Sequence, residues 1–338
     1  MSQQKDYYIL AYYNFVPVAN AQEEVKRHKA FFKGRDVAGR IYISDQGING
    51  QMSAHKDDAL AYMDWLHADP RFAEMPFKIH FHHENVFAKM TVKVRQQLVA
   101  LDAPADLSKG GEHVSPKRWK EMLEEKIDEE KSENSSLEGK KTILIDTRNA
   151  YEWKIGRFQG AELPNFDTFR EFPAYAQELK QRLDPAKTKV MMYCTGGIRC
   201  ELYSALFKEQ GFENVYQLEG GVINYGLQEG TALWEGKLFV FDDRLAIPIS
   251  DEEGIVIGRC FHCEAPYDHY YNCANTDCNE LFLCCPECLL TYKGCCQESC
   301  THAPRVREHQ PQDLHKPFRK WHLYRKPTAP SESLADKR

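Results

Sequence analysis

The sequence predicts three folded units in succession: an α+β unit, an α/β unit with a parallel sheet, and a small cysteine-rich module. The first follows from a strand, helix, strand, strand, helix, strand order over residues 7–94, which is typical of a ferredoxin-like split βαβ fold. The second follows from strands that alternate with helices after residue 141. The third follows from ten cysteines that occupy the 41 positions of 260–300.

Length, charge and cysteine use restrict the possible classes of protein. With 338 residues, the chain is longer than one ordinary core requires, so two or three domains are expected. No apolar run of about 18 residues exists, and the first residues lack the order of a signal peptide, so we expect no membrane association and a cytoplasmic location. The net charge of −6 argues against a wholly basic nucleic-acid coat but allows a local basic face. All twelve cysteines follow residue 193, which in a reducing compartment favours catalytic or metal-binding thiolates.

Domain boundaries are predicted from changes in composition. We expect a ferredoxin/acylphosphatase-like N-terminal domain over 1–115, an acidic helical linker over 116–140, an α/β domain over 141–235, a cysteine-rich module over 236–304 and a basic aromatic tail over 305–338. The linker prediction rests on eight acids against three bases in 119–138, a bias typical of solvated segments. Within the first domain, the glycine-flanked motif 47–50 is predicted to form a tight hairpin turn.

The candidate catalytic residue is Cys194, which stands between a short apolar strand and a helical pattern. Glycines after it allow successive backbone N–H groups to point inward, and the helix N-terminus and Arg199 add positive charge. Such surroundings lower the pKa of a thiol, so a reactive thiolate is predicted. The predicted anion cradle between the two catalytic candidates consists of Thr195, Gly196, Gly197 and Ile198.

Three further residues are predicted to support this loop. Asp146 and Arg148 follow a buried strand, at the edge where a parallel sheet commonly binds ligands. They either meet Cys194 or form an internal ion pair that fixes the loop. Cys200 is placed to resolve a persulfide on Cys194 or to form a disulfide with it.

The cysteine-rich module has the paired spacing of structural zinc sites. Two cysteines separated by two to four residues can reach one ion at about 2.3 Å, and four such pairs suffice for two tetrahedral sites. Pairing is open, and disulfides are the alternative. The metal role is predicted to be structural, because such sites replace a missing hydrophobic core. The candidate ligands, of which a subset would bind, are Cys260, Cys263, Cys273, Cys278, Cys285, Cys288, Cys295, Cys296 and Cys300. No organic cofactor is indicated.

The tail carries seven bases against two acids over 305–326. Basic residues contact phosphates and aromatic residues stack on unpaired bases, so this segment is predicted to bind a single-stranded RNA loop. A solvated tail with a few docking aromatics is the alternative. The candidate RNA-binding residues are Arg319, Lys320, Trp321, Arg325 and Lys326. The end, 331–338, is predicted to be disordered.

Three motifs in the middle of the chain agree in order and spacing with a rhodanese domain. They are Asp146-x-Arg148-x3-Glu152, Cys194-x4-Arg199 and Gly220-Gly221. In a rhodanese the loop cysteine carries a persulfide, a role that the resemblance gives to Cys194, while Asp146 and Arg148 match the structural Asp-x-Arg element. A related phosphatase group has one more residue between cysteine and arginine. The four-residue gap therefore favours sulfur over phosphoryl chemistry.

The whole chain from about residue 7 to 300 resembles one family, the rhodanese-domain tRNA uridine(34) hydroxylases, which combine motif 47–50, this loop and a cysteine-rich tail. The resemblance implies hydroxylation at C5 of the wobble uridine to 5-hydroxyuridine, with O2 as co-substrate and the tRNA anticodon loop as partner. Gln46 and Gln51 depart from the acidic residue and threonine usual around the motif. Cys284 is additional to the usual cysteines and is left out of the ligand set.

Two other functions are compatible with the same residues. A sulfurtransferase would carry a persulfide on Cys194 to an acceptor, and everything in the α/β domain suits that chemistry. A non-enzymatic, zinc-dependent RNA-binding adaptor would bind tRNA equally well without Cys194. Hydroxylation is the leading hypothesis, and no protein partner is indicated.

Overall fold

The N-terminal unit is a five-stranded sheet with two helices on one face. The structure is a computed structural model that describes residues 5–101, 105–131, 141–165, 168–252 and 254–308. The elements of this unit are β1 (Tyr7–Phe15), α1 (Ala21–Phe31), β2 (Val37–Ser44), β3 (Gly47–His55), α2 (Lys56–His67), β4 (Lys78–His82) and β5 (Met90–Val94). The strand order is β4-β1-β3-β2-β5, with only the β2–β5 pair parallel. The predicted ferredoxin-like topology is confirmed, with β5 extending the sheet beyond β2.

Alternation along the strands gives this sheet one apolar and one polar face. Successive side chains of a strand point to opposite faces, so residues two apart share a face. The apolar face packs against α1 and α2 and includes Leu10, Ile41, Ile43, Ile48 and Met52. The opposite face faces a cavity and includes Ala11, Tyr13, Arg40, Tyr42, Asn49 and Gln51. The apolar face thus forms the main core of the domain, while one end of the opposite face is covered by a small cluster of Ile9, Ala38, Val86 and Phe87.

The glycine-flanked motif 47–50 lies within β3, so its prediction as a tight turn was wrong. The chain reverses instead at Asp45 and Gln46, between β2 and β3. Gly50 stands directly opposite Tyr12 of β1, and a Cβ at Gly50 would lie 2.2 Å from the Tyr12 ring. This glycine therefore allows a close approach across the sheet. Sequence alone cannot separate that use of glycine from a turn.

The second unit has the predicted parallel sheet, and helices cover both of its faces. Its elements are β6 (Glu112–Val114), α3 (Pro116–Lys131), β7 (Lys141–Asp146), α4 (Ala150–Trp153), β8 (Gly156–Phe158), α5 (Phe172–Arg182), β9 (Thr188–Tyr193), α6 (Ile198–Glu209), β10 (Asn214–Leu218) and α7 (Gly221–Glu229). The strand order is β6-β10-β9-β7. Helices α5 and α6 pack on one face, and α3 and α7 on the other. Strand β9 is central and buried on both faces, which explains its continuous apolar sequence.

Helix α3 belongs to this second unit, which differs from the predicted acidic linker over 116–140. Trp119, Met122 and Leu123 are buried in one cluster with residues of β9 and α7. These positions are three and four apart and form one helical stripe, while the acids lie mainly on the exposed side. The linker prediction rested on the excess of acids and did not take this buried stripe into account. The predicted boundary at 115 also differs, because β6 pairs with β10. The remainder of the predicted linker, 132–140, lies outside the described residues.

The C-terminal part combines short strands with a cysteine-lined core. Its elements are β11 (Trp234–Gly236), β12 (Leu238–Phe239), β13 (Ala246–Ile247), β14 (Tyr270–Asn272), β15 (Leu281–Leu283), α8 (Pro286–Thr291) and α9 (Glu298–Thr301). β11 pairs with β8, and Leu238, Val240 and Ile249 pack into the core of the second unit, so that unit extends beyond the predicted end at 235. The module's own core is largely built from cysteines.

Within the described ranges, no helix has the length and apolar character needed to cross a membrane.

The basic tail is described only as far as Glu308. Arg305 pairs with Asp277, and the Arg307 backbone N–H donates to the Ala274 carbonyl at 2.8 Å, so the start of the tail docks on the cysteine-rich module. The predicted disordered end, 331–338, lies outside the described residues. The predicted RNA-binding residues also lie outside them, namely Arg319, Lys320, Trp321, Arg325 and Lys326.

We expect Trp119→Ala to lower the free energy of unfolding by about 3–5 kcal/mol, because it empties a large site in a packed core. Lys117→Ala on the exposed side of the same helix should change it by less than about 0.5 kcal/mol. Urea unfolding followed by circular dichroism measures both. Equal and small effects would mean that α3 behaves as a linker.

Candidate active site

Cys194 lies at the carboxyl end of β9, directly before the turn into α6. Gly197 precedes the helix with φ of +101°, a left-handed conformation that favours glycine. A Cβ at Gly197 would also lie 2.8 Å from the Tyr13 hydroxyl. In this turn, the Gly197 N–H donates to Cys194 Sγ at 3.1 Å. The turn therefore directs a backbone donor at the sulfur atom, as the sequence predicted.

The surroundings of Cys194 stabilise its thiolate. Burial acts to raise the pKa of Cys194, but the Cys200 thiol, the Arg199 charge and the backbone N–H groups of Arg199 and Gly197 outweigh burial and lower that pKa to about 5. The pKa of Cys200 is raised, because Cys200 is buried and faces the negative sulfur of Cys194. At neutral pH Cys194 is therefore the thiolate and Cys200 the hydrogen-bond donor.

Arg199 is held by a buried carboxylate, that of Glu152 at the start of α4. The Arg199 guanidinium donates to the two Glu152 oxygens at 2.5 and 2.8 Å, and its Nη2 donates to Thr195 Oγ1 at 3.2 Å. The Thr195 hydroxyl in turn donates to Glu152 Oε2 at 3.1 Å. Although burial opposes ionisation, Arg199 holds the pKa of Glu152 below its usual range. Glu152 therefore fixes the Cys194 loop. Glu152 belongs to the Asp146-x-Arg148-x3-Glu152 motif, but its role at the site was not predicted from the sequence.

Asp146 and Arg148 form a fully buried ion pair beside the loop. Arg148 donates through Nε and Nη2 to the Asp146 carboxylate at 2.8 and 2.6 Å, and through Nη2 to the Gly156 carbonyl at 2.6 Å. The guanidinium also lies 5.6 Å from the centroid of the Tyr193 ring. The pair thus ties β7 to β8 and β9. It corresponds to the internal ion pair, one of the two alternatives that the sequence left open.

A cavity of about 980 Å³ lies between the Cys194 loop and the polar face of the N-terminal sheet. This volume is in the range of small-molecule sites and can accommodate a nucleotide. Among its described lining residues, five are basic and one is acidic, namely Arg40, Lys78, Arg95, Arg170 and Arg199 against Asp45. The cavity therefore favours anions although the chain has a net charge of −6.

Two residues of the N-terminal sheet contact the loop directly. Lys78 Nζ donates to the Gly196 carbonyl at 2.9 Å and lies 5.0 Å from the Tyr13 ring centroid. The Tyr13 hydroxyl donates to Glu201, in the first turn of α6, at 2.8 Å. Burial lowers the pKa of Lys78 to about 8, and the nearby charge of Cys194 opposes that shift. Neither residue was predicted from the sequence, because no local pattern shows which domain a strand faces.

Eight cysteines of the C-terminal module form two groups of four, hereafter the tetrads. They are Cys260, Cys263, Cys285 and Cys288 in the first tetrad, and Cys273, Cys278, Cys296 and Cys300 in the second. Within each tetrad all sulfur atoms lie within 4.8 Å of one another. The separations of 3.7 Å for Cys263–Cys285 and 3.6 Å for Cys278–Cys296 approach the edge of about 3.8 Å of a tetrahedron with 2.3 Å bonds. Each tetrad can therefore hold a metal ion, and the structure gives the pairing that the sequence left open.

The remaining contacts of these sulfur atoms also suit metal-bound thiolates. The Cys285 N–H donates to Cys260 Sγ at 3.4 Å, and the Asn275 side-chain amide donates to Cys300 Sγ at 3.5 Å. Cys295, a candidate ligand, lies outside both tetrads, as does Cys284. All twelve cysteines of the chain are described, and none of them forms a disulfide, which was the alternative.

The fold and the site define a rhodanese-like protein that carries an acylphosphatase-like domain before its loop thiolate and a cysteine-rich module after it. In agreement, the chain matches the UPF0176 acylphosphatase like domain over residues 7–98, the rhodanese-like domain over 129–226 and the rhodanase C-terminal region over 235–301.

Similar proteins extend this classification to the whole chain. The tRNA uridine(34) hydroxylase of Protochlamydia amoebophila is 57% identical over 96% of this chain and 97% of its own length. The proteins of the same name from Chlamydia felis and Chlamydia trachomatis serovar D are 55% and 54% identical, over 94% and 95% of this chain and 94% of each relative. The chain belongs to the tRNA uridine(34) hydroxylase family, and the resemblance inferred from the motifs is confirmed.

We expect Cys194 to titrate to the thiolate with a midpoint near pH 5. The titration is followed by the ultraviolet absorbance of the thiolate, as the difference between the wild type and Cys194→Ser. Because the folded pKa is lowered, the resulting stabilisation is full above the ordinary thiol pKa of about 8.5 and is lost as the pH falls towards 5. Cys200→Ala removes a donor and should raise the midpoint, whereas Cys200→Ser keeps a hydroxyl donor and should raise it less. A midpoint at the ordinary value in the wild type would contradict this assignment.

Proposed function

We propose that this chain hydroxylates C5 of uridine 34 in tRNA, with O2 as co-substrate, to give 5-hydroxyuridine. The observation that carries the proposal is the Cys194 thiolate at a cavity of about 980 Å³ whose opposite wall is basic and aromatic. The relatives that bear the name tRNA uridine(34) hydroxylase span nearly the whole chain and support this activity over sulfur transfer. An anticodon-loop base is unpaired, so its extrusion into the cavity costs less than the few kcal/mol needed in a duplex.

We infer that Cys194 acts on the base as a nucleophile. Addition of its sulfur, as thiolate or persulfide, to C6 of the uracil would open the C5=C6 double bond and make C5 electron-rich. After oxygen transfer, loss of the C5 proton would expel the sulfur from C6 and restore the double bond. The negative charge that develops on the base oxygen would be stabilised by N–H groups of the loop. The Arg199 guanidinium is bound to Glu152, so Arg199 would act through its charge and by fixing the loop. Insertion of one oxygen atom of O2 at C5, with reduction of the other to water, also takes two electrons and two protons from a donor.

We also propose that each tetrad binds Zn²⁺ in a structural role. Four thiolates close the coordination sphere of a tetrahedral ion, whereas a catalytic zinc keeps one position open. The module's core consists largely of these cysteines, so the metal would supply stability that a small apolar core lacks.

A tRNA substrate further implies a cytoplasmic location.

The activity is tested by mass spectrometry of nucleosides from tRNA of cells that depend on each variant. Cys194→Ala should abolish 5-hydroxyuridine at position 34, because it removes the proposed nucleophile. Cys284→Ala, which also removes a buried thiol but lies outside the loop, should leave the modification unchanged. Purified protein should form no product without O2. Undiminished modification in Cys194→Ala would contradict the role of Cys194.

The metal content of purified protein tests the tetrads. Wild type should hold two zinc ions per chain, one for each tetrad. Cys285→Ala removes a ligand and should lose about one ion, whereas Cys284→Ala, at the adjacent position, should keep both. Elemental analysis measures the ions, and a chelator should lower the melting temperature of the wild type. Equal zinc content in these two variants would contradict the ligand assignment.

A further inference from the structure

The polar face of the N-terminal sheet lies across the cavity from Cys194, and its side chains form regular rows. Strand register places two rows of side chains side by side on this face. In strand order from β4 to β2, the first row is Lys78, Ala11, Gln51 and Arg40. The second row, from β1 to β2, is Tyr13, Asn49 and Tyr42. Among these seven residues none is acidic, although acids outnumber bases in the chain.

Tyr42 is the aromatic residue of this face that is placed for stacking. Its ring is half-buried, and the Arg95 guanidinium lies 4.7 Å from the ring centroid. Arg40 and Arg95 are exposed, and both line the cavity with Tyr42. Arg40 Nη1 donates to the carbonyl of Phe241, which directs Arg40 along the cavity wall. A tyrosine ring with a guanidinium group on one side, and a second arginine two residues before it on the same strand, is suited to a base with its neighbouring phosphates.

The strand spacing matches the dimensions of a nucleotide. Directly opposite residues on neighbouring antiparallel strands have Cβ atoms about 4.5–5.5 Å apart, so a base that stacks on Tyr42 would lie beside the Asn49 amide. Residues two apart on a strand are separated by about 6.6 Å, which places Arg40 within reach of the neighbouring phosphate. An amide has both a donor and an acceptor, as the edge of uracil requires.

We propose that this face, with Arg40, Tyr42, Asn49 and Arg95, binds the single-stranded anticodon loop and presents one base to Cys194. The inference rests on the proposed function for the identity of the RNA and adds the surface that binds it. A sheet with helices behind it and aromatic side chains on its open face is also how RNA recognition motifs bind unpaired bases. The N-terminal domain is then a substrate-binding domain, and the loop of the second unit supplies the chemistry.

A different use of the face would be to pack the two units together. Tyr13 and Lys78 do have that use, since they bind Glu201 and the Gly196 carbonyl. The test therefore avoids both residues and changes Arg40, Tyr42 and Arg95. Because Arg40 also donates to the Phe241 carbonyl outside this domain, the decisive variants are those of Tyr42 and Arg95. Circular dichroism and melting temperature should show that each variant keeps the fold.

The test measures binding of full-length protein to a fluorescein-labelled RNA anticodon stem-loop with uridine 34, by fluorescence anisotropy at several salt concentrations. Tyr42→Ala should weaken binding about 5- to 150-fold, the range of one lost base stack, and Tyr42→Phe should restore it. Arg40→Ala and Arg95→Ala should each reduce the slope of log affinity against log salt by about one.

Lys29→Ala is the matched control, because Lys29 is exposed on α1, on the helix-covered side of the same sheet. It should change neither affinity nor salt slope. Wild-type binding and slope in all three face variants, or an equal loss in Lys29→Ala, would overturn the inference even if the wild type forms 5-hydroxyuridine. Conversely, a wild type that forms none, but whose RNA binding is lost in Tyr42→Ala, would overturn the proposed activity and leave the RNA-binding face in place.

Discussion

The buried ion pair between Arg199 and Glu152 is the interaction on which the site depends. Burial of two charges is unfavourable, but here both carboxylate oxygens accept from the guanidinium and the Thr195 hydroxyl completes the network. Removal of either partner would leave an unpaired buried charge, at a cost of about 3–5 kcal/mol. The pair holds the loop so that the Gly197 N–H points at Cys194. The low pKa of Cys194 is thus a consequence of a fixed backbone as well as of nearby charge.

The site also depends on the N-terminal sheet, whose two faces have different roles. Its apolar face forms the main core with α1 and α2, and on the opposite face only one end, at Ile9 and Ala38, is covered by the domain's own residues. The polar face is therefore available as the wall of the cavity. Tyr13 and Lys78 then fix the distance between this wall and the loop. Neither unit forms the cavity alone, and the basic charge that would attract RNA comes mainly from the N-terminal domain.

The sequence predicted what short-range patterns determine and missed what the tertiary structure brings together. The loop around Cys194 and the cysteine pairs are local, and their spacing carries the chemistry. The partner of Arg199 lies 47 positions away, and Tyr13 belongs to another domain, so no spacing rule could pair them. Helix α3 was predicted as a linker because a count of charges ignores which face they occupy. Alternation in β2 and β3 could have shown the polar face, but not what it faces.

The cysteine-rich module also supports the active site, through α4. Tyr270 of the module donates its hydroxyl to the Tyr151 carbonyl at 2.7 Å, one residue before Glu152. Tyr270 packs with Ile155 and Leu283 in a shared apolar cluster, and Lys237 pairs with Asp268 at 2.8 Å. The tetrads hold the strands that carry these contacts, so order in the module is transmitted to α4 and then to the carboxylate that binds Arg199. A metal ion held by the tetrads would therefore support the position of Glu152 without any contact with the Cys194 loop.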